Sequence, residues 1–185
     1  MTDKENFETL PGFESEKDAE EAFDYAVMKS DCFRNYAQVA GRYIHVPHYK
    51  TPADKAVIDR ILLPNQRLID AGFKGAIGVE VKNSGMKVSA LYSQMMDYMR
   101  CAWRVESLAV VLDYVFLFPS DKLSHGMASI SDQNHLGTCC VRYPEDNEFH
   151  RLEFFTGEHC VIEIHLNKDN EIKVGKTTGL KQGSR

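Results

Sequence analysis

The stretch GAIGVEVKN, residues 75–83, decides the fold and carries one conspicuous pair of charges. Its isoleucine, valines and glycines are typical of a buried β-strand. Side chains alternate along a strand, so Glu80 and Lys82 share one face while the valines beside them pack in the core on the other. Two charges on one face of an apolar strand are costly unless that face lines a polar cleft or binds an ion. The pattern therefore predicts a functional cleft at this strand.

A second apolar segment, AVIDRILL at residues 56–63, carries a carboxylate at Asp59. Twenty residues separate Asp59 from Glu80, and a proline and a glycine among them permit a hairpin return that brings both carboxylates to one sheet edge. Two carboxylates beside a lysine form a unit suited to phosphodiester hydrolysis. The acids hold a hard cation, typically Mg²⁺, and the ammonium orients water or stabilises the leaving oxygens. A lysine near a cation also loses its proton more readily, so a role as base stays open for Lys82.

An ordinary salt-bridged strand face is the simpler explanation of a Glu-x-Lys triplet. The chain repeats the triplet at Glu171-Ile172-Lys173, near its C-terminal end and just after a turn. We interpret that copy as a solvated hairpin face, because alternating charge is typical of an exposed antiparallel strand. The apolar context, the upstream Asp59 and the helix that follows set the first copy apart.

The surrounding segments predict one mixed α/β domain with helices packed on a sheet. Ser15 caps a helix whose apolar stripe runs from Ala19 to Val27, with Glu21 and Asp24 on its opposite face. In chain order, the further predicted elements are extended segments at 38–46, 56–63 and 76–83 forming a meander, a helix at 87–104, a buried central strand at 108–118, a polar loop at 120–138, and short strands at 139–143, 151–155, 160–166 and 171–176.

The predicted helix at 87–104 carries polar residues on the flank of its apolar stripe. Gln94 and Tyr98 are four residues apart, about 40° on the helical wheel, and Lys87 falls on the same flank. An amide orients a lysine or a phosphate oxygen, and a tyrosine contacts a phosphate or stacks on a base. For each residue singly, a solvated or half-buried helix edge is the simpler reading. We interpret Trp103 as core and Asp113 as a hydrogen-bonded polar residue.

Three pieces of the sequence together resemble the signature of the PD-(D/E)xK nuclease superfamily: IDR at 58–60, GVEVKN at 78–83 and QMMDY at 94–98. The glutamine followed by a tyrosine four residues on is similar to the RecB-like exonuclease branch. Ile58 stands where the superfamily's name has proline. The resemblance covers residues 15–118 and implies a restriction-endonuclease-like mixed central sheet flanked by helices, with a C-terminal β-rich extension.

The resemblance also assigns roles to individual residues. The implied set is Asp59, Glu80 and the Val81 backbone carbonyl as ligands of Mg²⁺ or Mn²⁺, Lys82 as the catalytic lysine, Gln94 and Tyr98 as the accessory pair, and Glu20, or else Glu16, as a further metal ligand. The chain then divides into a flexible arm at 1–14, a nuclease-like core at 15–118, a β-rich extension of the same domain at 119–176, and a flexible tail at 177–185.

Composition limits the functions available to the chain. Its 185 residues contain 22 Lys and Arg against 27 Asp and Glu, a net charge of −5, which excludes a histone-like binder held by bulk positive charge. A phosphate-binding surface must be local, and Arg42, Arg60 and Lys87 are the candidate substrate contacts. Five cysteines, an odd number, with no secretory leader and no apolar run of about 20 residues, predict a cytoplasmic protein without a membrane span.

The leading hypothesis is a Mg²⁺- or Mn²⁺-dependent nuclease acting on single- or double-stranded DNA. The alternative is a noncatalytic module on a nuclease-like fold that binds nucleic acid or protein, which the acidic composition favours. RNA cleavage ranks third, because no aromatic RNA-binding pattern or basic stripe is present. A homo-oligomer is compatible with either function, but no part of the sequence specifies its interface.

Overall fold

The computed structural model describes residues 13–44, 55–82, 88–120, 134–142, 151–157, 159–165 and 171–175. Several predictions fall outside these ranges. They are the arm up to residue 12, Lys87, most of the polar loop at 120–138, and the tail at 177–185.

Within the described residues the chain forms three helices and ten strands. The helices are α1 (Glu16–Ser30), α2 (Gln66–Asp70) and α3 (Val88–Met99). The strands are β1 (Phe33–Tyr43), β2 (Ala56–Pro64), β3 (Ile77–Val81), β4 (Cys101–Val105), β5 (Leu108–Val110), β6 (Tyr114–Phe118), β7 (Leu136–Arg142), β8 (Arg151–Thr156), β9 (His159–His165) and β10 (Ile172–Val174).

All ten described strands lie in one sheet, in the order β10-β9-β8-β7-β6-β3-β2-β1-β4-β5. β3 pairs in parallel with β6, and β6 in parallel with β7. The other pairings are antiparallel, so β1, β2 and β3 form the predicted meander. The fold class, a mixed α/β domain, is confirmed. None of the helices in the described residues has the length and apolar character needed to cross a lipid bilayer.

Strand β6 separates two hydrophobic cores, because its side chains alternate between them. Phe116 and Phe118 belong to the core that α1 covers, where Phe23 packs 5.0 Å from Phe118 between ring centroids. Val115 and Leu117 belong to the core that α3 covers. A strand buried on both faces reads as a continuous apolar run, which is why the sequence predicted a central strand here.

The predicted helix start at Ser15 is confirmed. The Ser15 hydroxyl accepts a hydrogen bond from the backbone N–H of Asp18 at 3.1 Å, which satisfies one of the free donors at the first turn. Ala19, Phe23 and Ala26 then form the buried stripe of α1. These contacts fix the rotation of α1 over the sheet and so decide which of its acidic side chains approach the strands.

The predicted helix at 87–104 is wrong in its last turn. Helix α3 ends at Met99, and residues 101–105 form β4, which pairs with β1. The cause is long-range: Trp103 lies opposite Gly41, and a Cβ at Gly41 would come 2.5 Å from the Trp103 ring. Only a glycine opposite leaves room for the indole, which is fully buried as predicted for Trp103.

The single strand predicted at 108–118 is two strands, β5 and β6, in the structure. Val111 is exposed between them, and the Asp113 carboxylate accepts a hydrogen bond from the backbone N–H of Ala76 at 2.7 Å. Asp113 is therefore hydrogen-bonded, as expected, and its bond anchors the start of β3 to β6. The strands predicted after residue 138 are present, but β7 begins earlier, at Leu136.

Candidate functional site

Asp59 and Glu80 come from neighbouring antiparallel strands, β2 and β3. Arg60 lies opposite Val79, so Asp59 and Glu80 each adjoin a residue of the last pair between the two strands. The Asp59 carboxylate accepts a hydrogen bond from the backbone N–H of Val81, with 2.8 Å between Oδ2 and N. This bond uses one of the two carboxylate oxygens. It fastens Asp59 to the strand that carries Glu80 and Lys82, so the structure brings these three residues together.

Glu80 is the centre of the site. Only 2% of the residue is exposed, and both carboxylate oxygens are hydrogen-bonded. Oε1 accepts from Gln94 Nε2 and from Lys82 Nζ, each at 2.9 Å, and Oε2 lies 3.0 Å from the Tyr98 hydroxyl. Gln94 and Tyr98 are one turn apart on α3, which explains how one helix delivers both groups to one carboxylate.

Burial makes the negative charge on Glu80 costly. Loss of solvation raises its pKa, the nearby charge of Asp59 raises it further, and hydrogen bonds from Lys82 and Tyr98 only partly offset this. The two carboxylates thus repel each other, with Glu80 buried and Asp59 half-buried. A cation between them would relieve that repulsion.

Lys82 bridges β3 and α1. Its ammonium lies 2.9 Å from Glu80 Oε1 and 3.5 Å from Glu16 Oε1. Burial disfavours the charge, but the hydrogen bond and charge of Glu80 outweigh burial and raise the Lys82 pKa. Lys82 is therefore an ammonium in this arrangement. Of the two glutamates weighed on the first helix, Glu16 is the one that reaches it.

Tyr98 is held on three sides. Its hydroxyl accepts a hydrogen bond from Gln94 Nε2 at 2.6 Å and is placed to donate to the Val57 carbonyl at 2.9 Å or to Glu80. Burial and the negative charge of Glu80 raise the Tyr98 pKa far above its usual value, so the phenol stays neutral. Trp103 supports it from behind, with ring centroids 5.5 Å apart and an indole N–H that donates to the Tyr98 carbonyl at 3.2 Å.

Two other predicted site residues, Arg60 and Glu20, bind each other. The Arg60 guanidinium is buried, and its Nη2 lies 2.9 Å from Glu20 and its Nε 2.8 Å from Asp24. The prediction that Asp24 lies on the face of α1 opposite its apolar stripe is therefore wrong. Because Arg60 is a buried charge, it needs counter-ions, and α1 supplies two from adjacent turns. Neither Arg60, predicted to contact substrate, nor Glu20, predicted to bind metal, makes its described contacts with Glu80.

Arg42, the other described candidate for substrate binding, lies two strands away from Glu80. It is exposed on β1 and lines a groove of about 590 Å³ that β1, β4 and β5 form. Sequence reasoning did not identify Lys55 and Arg104, which line the same groove. The pairing of β4 with β1 places Arg104 there, and the helix predicted over residues 87–104 concealed it.

The donor set around Glu80 suits a hard divalent cation. Among the described residues, no three His, Cys, Asp or Glu side chains gather as a metal-binding group. Asp59 and Glu80 contribute carboxylates, and Val81 follows Glu80 with a backbone carbonyl. Mg²⁺ is usually held by one or two carboxylates and completes its shell with waters and substrate phosphates. Asp59 and Glu80 would supply the two carboxylates, and Glu80 would give up a hydrogen bond to do so.

The sequence predicted Trp103 as a core residue but did not indicate that it contacts Tyr98. Its contact with Tyr98 depends on the turn at Arg100 that ends α3, and no local spacing marks such a turn.

Comparison of the chain with protein-family models, curated proteins and solved structures finds no match.

Proposed function

We propose that the protein is a Mg²⁺- or Mn²⁺-dependent nuclease that hydrolyses phosphodiester bonds in DNA. The observation that carries the proposal is the buried Glu80 carboxylate, which Lys82, Gln94 and Tyr98 contact, while Asp59 is hydrogen-bonded to the next residue of the same strand. Unlike the carboxylate of an exposed ion pair, that of Glu80 is buried and accepts two further hydrogen bonds, from Gln94 and Tyr98. Buried charges of this kind are typical of functional sites.

The arrangement of strands supports the finer, restriction-endonuclease-like description of the fold. The meander of β1, β2 and β3 continues into β6, which runs parallel to β3, and α1 and α3 cover opposite faces. The candidate site lies at the end of β3, where β2 and the two helices meet. The resemblance to PD-(D/E)xK nucleases implies this order of elements.

Each residue has a role that follows from its contacts. Asp59, Glu80 and the Val81 carbonyl would hold the cation, which supplies a Lewis acid that neutralises charge developing on the phosphate. Lys82, as an ammonium, hydrogen-bonds the attacking water or the phosphate oxygens. Gln94 and Tyr98 touch Glu80 rather than open space, so they position the carboxylate.

One observation favours the alternative, a noncatalytic module that binds nucleic acid or protein. Both oxygens of Glu80 already accept hydrogen bonds from Lys82, Gln94 and Tyr98, so the carboxylate is satisfied without a cation. Calorimetry with Mn²⁺ separates the two functions. A nuclease releases binding heat that Asp59→Asn or Glu80→Gln abolishes, whereas a structural carboxylate gives none.

The activity test uses single- and double-stranded DNA incubated with Mn²⁺, Mg²⁺ or EDTA. We expect cleavage with either metal, none in EDTA, and strong loss in Asp59→Asn. Lys173→Ala is a control away from the candidate site. Lys173 belongs to the second Glu-x-Lys triplet, is exposed and pairs with Glu163 on a neighbouring strand. If the wild-type protein leaves both DNA forms intact, or Asp59→Asn cuts as fast, the proposal fails.

The proposed setting is the cytoplasm, with DNA as the partner. All five cysteines are free, and four of them are buried. Free thiols persist in a reducing compartment, which supports this setting. Assembly into a homo-oligomer is also a proposal, and analytical ultracentrifugation tests it.

A further inference from the structure

One face of the sheet near its β5 edge carries cations above a floor of alanines. Arg42 on β1 lies opposite Ala102 on β4, and Arg104, two residues further along β4, lies opposite Ala109 on β5. Residues opposite each other in antiparallel strands project to the same face, and so do residues two apart on one strand. Arg42 and Arg104 therefore project from one face, with short side chains between them.

Lys55 joins this face from the start of β2. Gly41 pairs with Ala56, so Lys55 and Arg42 each adjoin a paired residue, and both line the same groove. Trp103, between Ala102 and Arg104, points to the other face, where it packs against Tyr98. The three cations thus lie on the side of the sheet away from α3, where they line the groove of about 590 Å³. We call this groove, with Arg42, Lys55 and Arg104 on its walls, the basic groove.

Among the residues that the structure describes, no acidic side chain pairs with a cation of the basic groove. Within the described part of the chain, Arg42, Lys55 and Arg104 form no ion pair, and the groove has no acidic residue in its lining. All three are exposed. Ordinary protein surfaces intersperse both signs of charge. In a chain with a net charge of −5, a groove whose charged lining residues are all cations indicates an anionic ligand.

The spacing of the cations suits an extended anion better than a compact one. Neighbouring strands are about 4.8 Å apart and residues two apart on a strand about 6.7 Å, so the Cα atoms of Arg42 and Arg104 are roughly 8 Å apart. The groove also continues along β1. A second groove of about 580 Å³ shares Ala40 and Arg104 with it and is lined by Asn35, Tyr36, Gln38 and one acid, Glu106.

We infer that the basic groove binds consecutive phosphates of one nucleic-acid strand. Arg42, Lys55 and Arg104 contact the phosphates, and the alanine floor admits the backbone between them. The choice of nucleic acid as the anion rests on the proposed function. The binding itself requires neither Asp59 nor Glu80, because the groove is separate from their carboxylates.

The test measures binding apart from cleavage. A fluorescent 12-nucleotide single strand of thymidines is titrated with protein in EDTA, and anisotropy is recorded over a range of salt concentrations. The test variant is Arg42→Ala/Lys55→Ala/Arg104→Ala. The matched control is Lys17→Ala/Arg34→Ala/Lys74→Ala, which removes three exposed positive charges elsewhere on the surface. Arg34 lies on β1 eight residues before Arg42, about 26 Å along the strand.

We expect the test variant to bind at least tenfold more weakly than the wild-type protein, and the control variant within about twofold of it. Each lost phosphate contact lowers the slope of log affinity against log salt by about 0.7, so the test variant should lose about 2 from that slope. Equal weakening in both variants would show a response to net charge alone and would overturn the inference. So would wild-type affinity in the test variant, or no binding by the wild-type protein.

The same protein preparations separate this inference from the proposed function. If the test variant still binds DNA as the wild type does and cleaves it with Mn²⁺, the basic groove does not bind the nucleic acid, while the proposed nuclease activity stands. If binding depends on the basic groove but the wild-type protein cleaves no DNA, nucleic-acid binding by the groove is supported and the proposed nuclease activity is contradicted. Vesicles containing phosphatidylserine serve as a further probe. Groove-dependent binding to vesicles without binding to DNA would assign the groove to membranes and overturn the inference.

Discussion

The hydroxyl of Tyr98 and the carboxylate of Glu80 are 3.0 Å apart, although one residue lies on a helix and the other on a strand beneath it. Gln94, one turn earlier, reaches the other oxygen of the same carboxylate. The helix therefore clamps a buried charge on two sides. How Glu80 is held matters as much as its presence, because a carboxylate that turns by one rotamer would no longer face Asp59.

Tyr98→Phe tests this clamp. The ring remains, but the hydrogen bonds to Glu80, Gln94 and the Val57 carbonyl are lost, so we expect the free energy of unfolding to fall by about 1–3 kcal/mol. Urea unfolding measures this. Tyr25→Phe is the control, since Tyr25 is exposed on α1 and such surface changes usually stay within about 0.5 kcal/mol. Equal stability of the two variants would contradict the described contacts.

Lys82→Ala should lower DNA cleavage by about 10² to 10³-fold, the usual effect of removing one group that stabilises charge in a transition state. Lys173→Ala should leave the rate unchanged. Calorimetry should still detect Mn²⁺ binding in Lys82→Ala, because Asp59 and Glu80 remain. Equal cleavage rates in the two lysine variants would exclude a catalytic role for Lys82.

Glu80→Gln should raise the melting temperature of the metal-free protein at neutral pH. The pKa of Glu80 is raised in the folded state, first by burial and then by Asp59, so its ionised form costs stability. The amide keeps the shape without the charge. Added Mn²⁺ should stabilise the wild-type protein, by about 2.7 kcal/mol at a hundredfold excess over Kd, and should not stabilise the variant. A variant that melts lower than the wild type in EDTA would contradict this cause of the shift.

The pH dependence of stability provides a separate check on Glu80. Because its folded pKa lies above its unfolded value of about 4.5, the folded state binds the proton more tightly between the two values. Its contribution is complete below the unfolded pKa and is lost as pH rises through the folded one. Wild-type protein in EDTA should therefore lose more stability between pH 4.5 and neutrality than Glu80→Gln does, as urea midpoints at each pH would record.

Asp24→Ala should destabilise the fold through Arg60. The variant leaves a buried guanidinium with Glu20 as its remaining described counter-ion, and we expect a loss of roughly 1–3 kcal/mol. Glu21→Ala is the control, because the exposed pair of Glu21 with Lys17 is worth about 0–1 kcal/mol. If both variants unfold at the same urea concentration, the Arg60 cluster is not a structural element.

The sequence was sufficient to predict the central features of the site because they depend on local rules. Strand alternation places Glu80 and Lys82 on one face, and helical periodicity places Gln94 and Tyr98 on one flank. The meander of β1, β2 and β3 followed from prolines and glycines between apolar runs. These patterns need no knowledge of distant partners.

Features that depend on distant partners could not be predicted. The segment around Met99 consists of good helix formers, and only the space above Gly41 makes Trp103 part of a strand. The choice between Glu16 and Glu20 depends on how α1 is rotated on the sheet. That rotation is set by packing and by the buried charge of Arg60, neither of which leaves a mark on the helix itself.

All five residues of β3 are buried, and the strand is paired with β2 on one side and β6 on the other. Glu80 is therefore carried by a strand that is buried and paired on both sides, where local opening is rare. A strand held in this way does not shift to fit partners of different shape. Engineering a new binding preference would have to begin with exposed side chains around Glu80 and leave β3 unchanged.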